Sequence, residues 1–148
     1  MATYGRSFAL VDEKNHGYRA PATFTTDSIG LVMLEPEVGN YTFTSGYLSY
    51  FEICQNVRSN GWTEVWFDEG KVPYAYGDGD WVGYDNVDSI IYKLDMLRSY
   101  GVGGIWWKTI DADDFKVWFK IKTSNERLGL RTFILSLTGP NNFKFTVM

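Results

Sequence analysis

Three aspartates, Asp111, Asp113 and Asp114, follow an apolar run in the segment GGIWWKTIDADDF, residues 103–115. Paired carboxylates act as acid and as nucleophile or base in most glycoside hydrolases. A carboxylate cluster at a strand end is also typical of a solvated turn, and no base in an apolar pocket can be identified beside these three. The cluster is therefore a hypothesis, and the sequence assigns no catalytic residue.

Other patterns that could perform chemistry fail on spacing. A calcium-binding loop beginning at Asp78 would need an oxygen ligand at Val82 and an acid at Ser89, and neither position supplies one. His16 lies in a polar stretch without a metal-ligating neighbour at a useful spacing, so we interpret it as a surface residue. The sequence contains no P-loop, dinucleotide-binding glycine motif or nucleophile elbow. We therefore expect neither a metal nor a cofactor.

Composition indicates one folded domain rich in aromatic side chains. The chain has 148 residues, of which 45% are hydrophobic and 18% aromatic, enough to bury a core. Its formal net charge of -4 argues against general nucleic-acid binding. The charge changes sign near residue 116: residues 1–115 hold 8 basic and 17 acidic side chains, whereas residues 116–148 hold 6 basic and 1 acidic. This break predicts a boundary there.

The chain carries no recognisable targeting segment. Its start, MATYGRSFALVDEK, lacks the charged and apolar regions of a signal peptide, and no apolar run is long enough to span a bilayer. Cys54 is the single cysteine, so an internal disulfide is excluded and a small buried hydrophobe is the favoured interpretation. The protein is thus either intracellular or part of a longer sequence.

Hydrophobic periodicity predicts short strands and two helices. YGRSFAL predicts a strand, and residues 45–61 predict a short helix that stops at Gly61. Residues 63–85 predict two or three antiparallel strands. The clearest helix is predicted over residues 85–100, with Asp85 as its N-cap and Gly101 after its end.

The end of the chain divides into a strand and a weakly patterned tail. VGGIWWKTI, residues 102–110, predicts a strand buried on both faces, and a helix that leads into such a strand implies an α/β fold with a parallel sheet. Residues 116–148 show weak alternation, consistent with three short strands.

Six blocks in order resemble glycoside hydrolase family 18, the chitinases and chitinase-like lectins. The blocks are YGRSF (4–8), APAT (20–23), GYLSYFEIC (46–54), KVPYAY (71–76), WVGYDNVDSI (81–90) and GGIWWKTIDADDF (103–115). The resemblance covers only the C-terminal third of the family's catalytic domain. It implies a partial (β/α)8 TIM barrel, namely strands 7 and 8 and helix 7, with the α+β chitinase insertion domain.

The resemblance also implies a division of the chain. Residues 1–10 would be barrel strand 7, residues 11–84 the insertion domain, and residues 85–115 barrel helix 7 and strand 8. Residues 116–148 would be a tail foreign to the family, with a gene-model artefact as one explanation. Met1 matches an internal methionine of the family, and the family partner of Cys54 is absent. We therefore expect a fragment of a longer protein, secreted as the parent family is.

Family members hydrolyse β-1,4-linked N-acetylglucosamine polymers with an acid that ends a D-x-x-D-x-D-x-E motif. That motif is absent from these 148 residues. The general acid alone contributes about 10² to 10⁴ in rate, so the chain is predicted to be inactive by itself. The alternatives are a non-catalytic chitin-oligosaccharide-binding protein of the lectin type and a non-functional truncated product.

The resemblance implies which residues of this chain would contact a substrate. Tyr4 and Arg6 match a tyrosine and an arginine that line the family's cleft. Tyr47 stands where vertebrate chitinases carry a methionine. Lys108 aligns with the tryptophan that forms the floor of the cleft, and Trp107 lies one residue earlier, on the opposite face of a strand. Chitin or its oligosaccharides are the implied partners, with no nucleic acid or membrane; the oligomeric state stays open.

Overall fold

A computed structural model describes residues 1–23, 36, 38–113 and 144–147, with the backbone alone at 107, 110 and 144–147. The strands are β1 (Tyr4–Leu10), β2 (Ala22–Thr23), β3 (Tyr47–Ser49), β4 (Thr63–Phe67), β5 (Val72–Gly77), β6 (Asp80–Gly83), β7 (Gly104–Trp107) and β8 (Lys144–Val147). The helices are α1 (Tyr50–Ser59) and α2 (Val87–Ser99), and a short 3-10 turn spans Ile110–Ala112.

Strand β1 is the centre of a six-stranded antiparallel sheet. The strands are ordered β2-β1-β6-β5-β4, and β3 also pairs with β1. Arg6 is opposite Tyr47 of β3 and opposite Gly83 of β6, so these two strands lie along different edges of β1. The predicted strand YGRSFAL and the predicted antiparallel strands of residues 63–85 are confirmed.

A parallel arrangement appears at the second, smaller sheet. Strand β7 pairs in parallel with β8. Just beyond β7, Lys108 forms a parallel bridge with Ala2, in which the Lys108 amide donates to the Met1 carbonyl and the Thr3 amide to the Lys108 carbonyl, both at 3.0 Å. The residues before β1 and after β7 are thereby joined, although they lie far apart in the sequence.

The core lies between one face of the large sheet and the two helices. Its buried residues are Leu48, Tyr50, Ile53, Cys54, Trp62, Ala75, Val82, Tyr84, Ile90 and Leu94. Helix α1 approaches β1 so closely at Gly5 that a Cβ there would lie 2.5 Å from the Val82 side chain and 2.7 Å from that of Ile53. Only glycine therefore fits this position of β1 without movement of its neighbours.

Two sequence predictions about helix starts are wrong. The segment predicted as a helix from Ser45 contains strand β3, and α1 begins only at Tyr50, capped by Ser49. Asn86, rather than Asp85, caps α2, because its side chain accepts from the Ser89 amide at 3.0 Å. Asp85 instead accepts from the Ser89 hydroxyl and from Lys93.

Helix α2 ends as predicted, because Gly101 lies just beyond it with φ +68°, a left-handed conformation.

The expectation that β7 is buried on both faces is wrong for the described chain, since Trp106 is 54% exposed. A continuous apolar strand stays covered only where other elements lie on both of its faces.

His16 is more than a surface residue. Its ring stacks on Tyr76 of β5 with centroids 3.7 Å apart and an angle of 9° between the planes. Together with a stack of Tyr18 on Phe67, at 4.0 Å, this contact fastens the loop of residues 11–20 over the sheet.

No helix in the described ranges has the length and apolarity that crossing a bilayer requires. Of the predicted tail strands, all but residues 144–147 lie outside the described residues.

A buried carboxylate, Glu52, joins α1 to the preceding loop. Its Oε1 accepts from the amides of Tyr41 at 2.8 Å and Thr42 at 3.2 Å, and its Oε2 from the Ser49 amide at 2.9 Å and hydroxyl at 2.7 Å. Burial alone would raise the pKa of Glu52, but these hydrogen bonds outweigh it and the pKa is lowered. The charged form is therefore the one that stabilises the fold.

We expect Glu52→Gln to lower the free energy of unfolding by about 1 to 3 kcal/mol at pH 7, because an amide cannot accept at both of its terminal atoms. Since the folded pKa is depressed, the carboxylate contributes fully above its unfolded pKa of about 4.3. Its contribution is lost as the pH falls through the lower folded value. Urea titrations at several pH values measure this difference.

The control is Glu69→Gln, which changes an exposed glutamate in the turn between β4 and β5. We expect this variant to match the wild type at pH 7. Equal stability of the two variants at pH 7, or a difference between Glu52→Gln and wild type that persists unchanged to pH 2, would contradict the assignment.

Candidate functional site

Two tyrosines and an arginine form a ridge on the sheet, which we call the tyrosine–arginine ridge. The rings of Tyr4, on β1, and Tyr47, on β3, stack with centroids 4.7 Å apart and 29° between their planes. The guanidinium of Arg6 lies 5.6 Å from the Tyr4 ring and 5.9 Å from the Tyr47 ring. Arg6 itself is exposed, so the cation faces solvent beside two aromatic rings.

Strand register creates this ridge. Tyr4 and Arg6 are two residues apart on β1 and therefore point to the same face, and Tyr47 lies directly opposite Arg6 on β3. The turn into β3 uses Gly46 at φ +73°, and the Thr42 hydroxyl donates to the Tyr47 carbonyl at 3.0 Å. The loop that Glu52 holds thus also fixes the position of Tyr47.

The chain beyond Lys108 reaches the same ridge. Thr109 and Asp111 both lie close enough to act on the ionisation of the Tyr47 phenol. Burial raises the pKa of Tyr47. Thr109 opposes this increase in part, the negative charge of Asp111 adds to it, and the Arg6 cation has a smaller opposing effect. The phenol consequently remains protonated at neutral pH and is available as a hydrogen-bond donor.

Thr3 fastens this part of the chain. Its side chain is fully buried, its hydroxyl accepts from the Thr109 amide at 2.9 Å, and it donates to the Thr109 carbonyl. Residues 108 and 109 are thus bound to the residues just before β1. This tether, and not sequence proximity, brings Thr109 and Asp111 to the ridge.

Open concavities lie on both sides of the ridge. One, of about 580 Å³, is bordered by Tyr47, Phe51 and Asp111 among others. The other, of about 320 Å³, is bordered by Tyr4, Arg6, Tyr74 and Trp81 among others. The ridge therefore presents aromatic rings and hydrogen-bonding groups to two adjoining hollows, an arrangement suited to a ligand that has apolar and polar surfaces.

The structure brings together three of the five residues predicted to contact a ligand, namely Tyr4, Arg6 and Tyr47. Lys108 is exposed and its backbone is tied to Met1 and Thr3. Trp107 lies in β7, and its side chain is outside the described part of the structure. How Lys108 and Trp107 face a ligand therefore remains a prediction.

The described aspartates of the predicted cluster, Asp111 and Asp113, lie in different environments. Asp111 is exposed and borders the larger concavity, whereas Asp113 is only 4% exposed. Asp114 lies outside the described residues. Within the ranges that the structure describes, no three histidine, cysteine, aspartate or glutamate side chains are grouped as a metal would require.

Sequence reasoning missed Thr3, Thr109 and Trp81. Alternation along β1 places Tyr4, Arg6 and Phe8 on one face, and the same rule applied to β6 would have added Trp81. The contact of Thr109 with Tyr47 joins residues far apart in sequence. No local pattern indicates it.

Comparison with protein families gives one match, to Glycosyl hydrolases family 18, over residues 1–113. Among curated relatives, the endochitinase of Manduca sexta is 36% identical over 116 residues, which are 76% of this chain and 20% of that protein. Mouse chitotriosidase-1 is 38% identical over 117 residues, 78% of this chain and 22% of that protein.

Solved structures agree with these matches. The immunomodulatory active chitinase TsES1 of Trichuris suis superposes with a TM-score of 0.77 at 29% identity, covering 94% of this chain and 35% of that one. Human YKL-39, described as a pseudo-chitinase with retained chitooligosaccharide-binding properties, gives 0.65 at 34% identity and covers 78% and 28%. This chain thus spans between about a fifth and a third of the length of these proteins.

Replacing Thr3 by valine tests the tether. The change is nearly isosteric but leaves the partly buried amide and carbonyl of Thr109 without the Thr3 hydroxyl, so we expect a loss of about 1 to 3 kcal/mol in the free energy of unfolding. Amide exchange at Thr109 should become faster. Thr63→Val, at an exposed position of β4, is the control and should leave both quantities unchanged. Equal stability of the two variants would show that Thr3 does not hold this segment.

Proposed function

This chain belongs to glycosyl hydrolases family 18, and we propose that it forms part of the wall of a chitin-oligosaccharide-binding cleft in a longer chitinase-like protein. Its relatives include chitinases, and a TIM-barrel-type fold follows from its solved neighbours, of which this chain is a small α/β part. The activity of the whole protein rests on residues beyond these 148. The proposal here concerns binding.

The tyrosine–arginine ridge is the observation that carries the proposal. A pyranose ring has apolar C–H faces that stack on aromatic rings and hydroxyl groups at its edge that accept and donate hydrogen bonds. Tyr4 and Tyr47 supply the aromatic surface, and the exposed guanidinium of Arg6 supplies fixed donors. The protonated Tyr47 phenol adds a further donor.

The concavity bordered by Asp111 supports a sugar as occupant. Asp111 is an acceptor for hydroxyl groups, and its negative charge offsets the nearby Arg6 cation. A neutral ligand rich in hydroxyl groups matches this balance better than an anion. The carboxylate in this arrangement is a binding group.

We assign the parts of the chain as the resemblance suggests. Residues 1–10 would be barrel strand 7, residues 11–84 the insertion domain, and residues 85–115 barrel helix 7 and strand 8. The parallel bridge between Ala2 and Lys108 supports neighbouring parallel strands. The strands within residues 22–83 form one antiparallel sheet with β1, which supports treating residues 11–84 as a unit built onto that strand. The family match ends at residue 113, which supports treating residues 116–148 as a tail outside the family.

Hydrolysis is not proposed for the chain by itself. The D-x-x-D-x-D-x-E motif is absent from its sequence, and Asp111 and Asp113 occupy different environments. Binding without hydrolysis, of the kind named for human YKL-39, is the second candidate for the longer protein. The identity of the residue that ends that motif distinguishes an enzyme from a lectin. In either case we place the parent protein outside the cell.

Lys108 favours weak binding by this chain. The resemblance aligns it with an aromatic floor residue of the family, and an ammonium group offers no face on which a sugar ring stacks. Together with the small number of sugar contacts in these residues, this leads us to expect a Kd of about 1 mM for chitotetraose, or about -4.1 kcal/mol.

The proposal is tested by titrating the ¹⁵N-labelled 148-residue chain with chitotetraose. Amide signals of Arg6 and Tyr47 should shift in a saturable way. Tyr47→Ala should weaken binding about 2- to 12-fold, because a stacked aromatic contributes about 0.5 to 1.5 kcal/mol. Tyr47→Phe, which keeps the ring, should retain most of the affinity.

Tyr92→Ala is the matched control, because Tyr92 is an exposed tyrosine on α2, away from the ridge. It should leave the affinity unchanged. Titration without shifts at Arg6 and Tyr47, or an equal loss in Tyr47→Ala and Tyr92→Ala, would overturn the proposed function.

A further inference from the structure

The face of the large sheet opposite the helices carries an aromatic row beyond the ridge. Phe8 of β1 lies opposite Trp81 of β6, which lies opposite Tyr76 of β5. Residues directly opposite in a sheet point to the same face. The row therefore continues from Tyr4 and Arg6 across β1 and β6, and we call Phe8, Tyr74 and Trp81 the second aromatic group.

Trp81 lies where two hollows meet. It borders the 320 Å³ concavity beside Tyr4 and Arg6, and also a mostly apolar hollow of about 250 Å³ beside Phe8 and Leu10. The loop of residues 11–20 covers part of this face through the stacked pairs His16–Tyr76 and Tyr18–Phe67. The result is a groove that begins at the ridge and runs past Trp81.

The Trp81 ring packs against aromatic neighbours, but its indole N–H has no hydrogen-bond acceptor among the described residues. It stacks on Tyr74 at 5.3 Å with 23° between the planes, and lies 6.2 Å from the Phe8 ring. Its Nε1 is buried and has no hydrogen-bond acceptor among the described residues. A buried donor without an acceptor is unfavourable, so a ligand oxygen that reached it would gain a hydrogen bond that the chain itself does not make.

The position of this donor favours a carbohydrate in the groove. The groove offers aromatic rings, an indole N–H and, at the end nearest the ridge, the exposed Arg6 guanidinium. An ordinary lipid tail has no acceptor for the N–H. Asp85 and Lys93, which also border the groove, are paired with each other and so add no net charge to it. A chain of sugar rings supplies both apolar faces and acceptor oxygens.

Geometry links the two sites. Trp81 lies on β6, next to the strand of Arg6, and two residues away from the residue opposite Arg6. From the spacing between strands and the rise per residue, the Cα atoms of Trp81 and Arg6 are about 8 Å apart. That separation suits neighbouring sugar units of one oligosaccharide. Contact with such a ligand requires the indole to turn so that its N–H faces one of the two hollows that Trp81 borders.

The geometry points to Trp81 as a second sugar contact that extends the ridge, so that one chitin oligosaccharide contacts Arg6 and the second aromatic group together. This inference rests on the proposed function for the class of ligand. It adds a residue that selects for oligosaccharides over the monosaccharide, because a single sugar unit bound at the ridge ends before Trp81.

The test uses the full 148-residue chain labelled with ¹⁵N, in which tryptophan indole N–H signals are resolved from the backbone. The Trp81 signal is identified by its absence from the Trp81→Phe spectrum. On titration with chitotetraose it should shift with the same Kd as the Arg6 amide. Trp81→Phe keeps an aromatic ring and should weaken chitotetraose binding about 2- to 12-fold, the range for one hydrogen bond.

Chain length provides a second readout. Wild type should bind chitotetraose more tightly than the monosaccharide N-acetylglucosamine, and Trp81→Phe should reduce the ratio of these two affinities. Trp66→Phe is the matched control, because Trp66 lies opposite Pro73 and so on the other face of the sheet, and it is 39% exposed. It should leave the ratio unchanged.

The outcomes separate the two proposals. Shifts at Arg6 and Tyr47 without a shift of the Trp81 indole overturn the second contact and leave the proposed function standing. Absence of shifts at both places overturns both. An indole shift that follows protein concentration without sugar identifies a second copy of the chain as the occupant and overturns this inference. An unchanged ratio in Trp81→Phe also overturns it.

Discussion

The close approach of helix α1 to strand β1 is the constraint on which the rest of the structure depends. Gly5 has no room for a side chain beside Val82 and Ile53, and Ser7 and Ala9 are buried on the same face. The large side chains that alternate with them, Tyr4 and Arg6 among them, must therefore point to the opposite face. A register shift of one residue would exchange the two sets and remove both the core and the ridge.

Strand β1 also determines what surrounds the ridge. Antiparallel pairing with β3 brings Tyr47 beside Tyr4, and pairing with β6 brings Trp81 beside Phe8. The residues just before β1 hold Lys108 and Thr109, so the segment after β7 returns to the start of the chain. Local hydrogen bonds then secure these arrangements, with Glu52 fixing the loop before β3. The surface proposed to bind sugar is thus built from segments that only the fold brings together.

Local pattern predicted the elements more successfully than it predicted their contacts. The alternation of YGRSFAL identified β1, and helical spacing with Gly101 identified α2, because both signals lie within one segment. The three residues of β3 were assigned to a helix, although Ser49 and Glu52 have the spacing of a capping box and indicate a later start. Strand β3 forms because β1 offers it an edge, which is a tertiary effect.

In the candidate site too, the residues were easier to predict from the sequence than the contacts between them. Tyr4, Arg6 and Tyr47 came from a resemblance between ordered sequence blocks, and their clustering follows from strand register. The position of Thr109 beside the ridge depends on a contact that only the fold makes, whereas alternation along β6 could have identified Trp81. His16 was read as a surface residue because its partner, Tyr76, is distant in sequence. Trp106 is exposed where a buried strand was expected, because burial of a strand depends on the elements that cover it.

The most direct measurement of the central claim is an isotope-filtered NOE experiment on the chain with ¹³C-labelled tyrosine and unlabelled chitotetraose. The account predicts NOEs from the ring protons of Tyr4 and Tyr47 to the C–H protons of the sugar, since both rings form the proposed stacking surface. NOEs confined to Tyr92 of helix α2 and to Tyr100, which follows that helix, would contradict it and would place the sugar on a different surface.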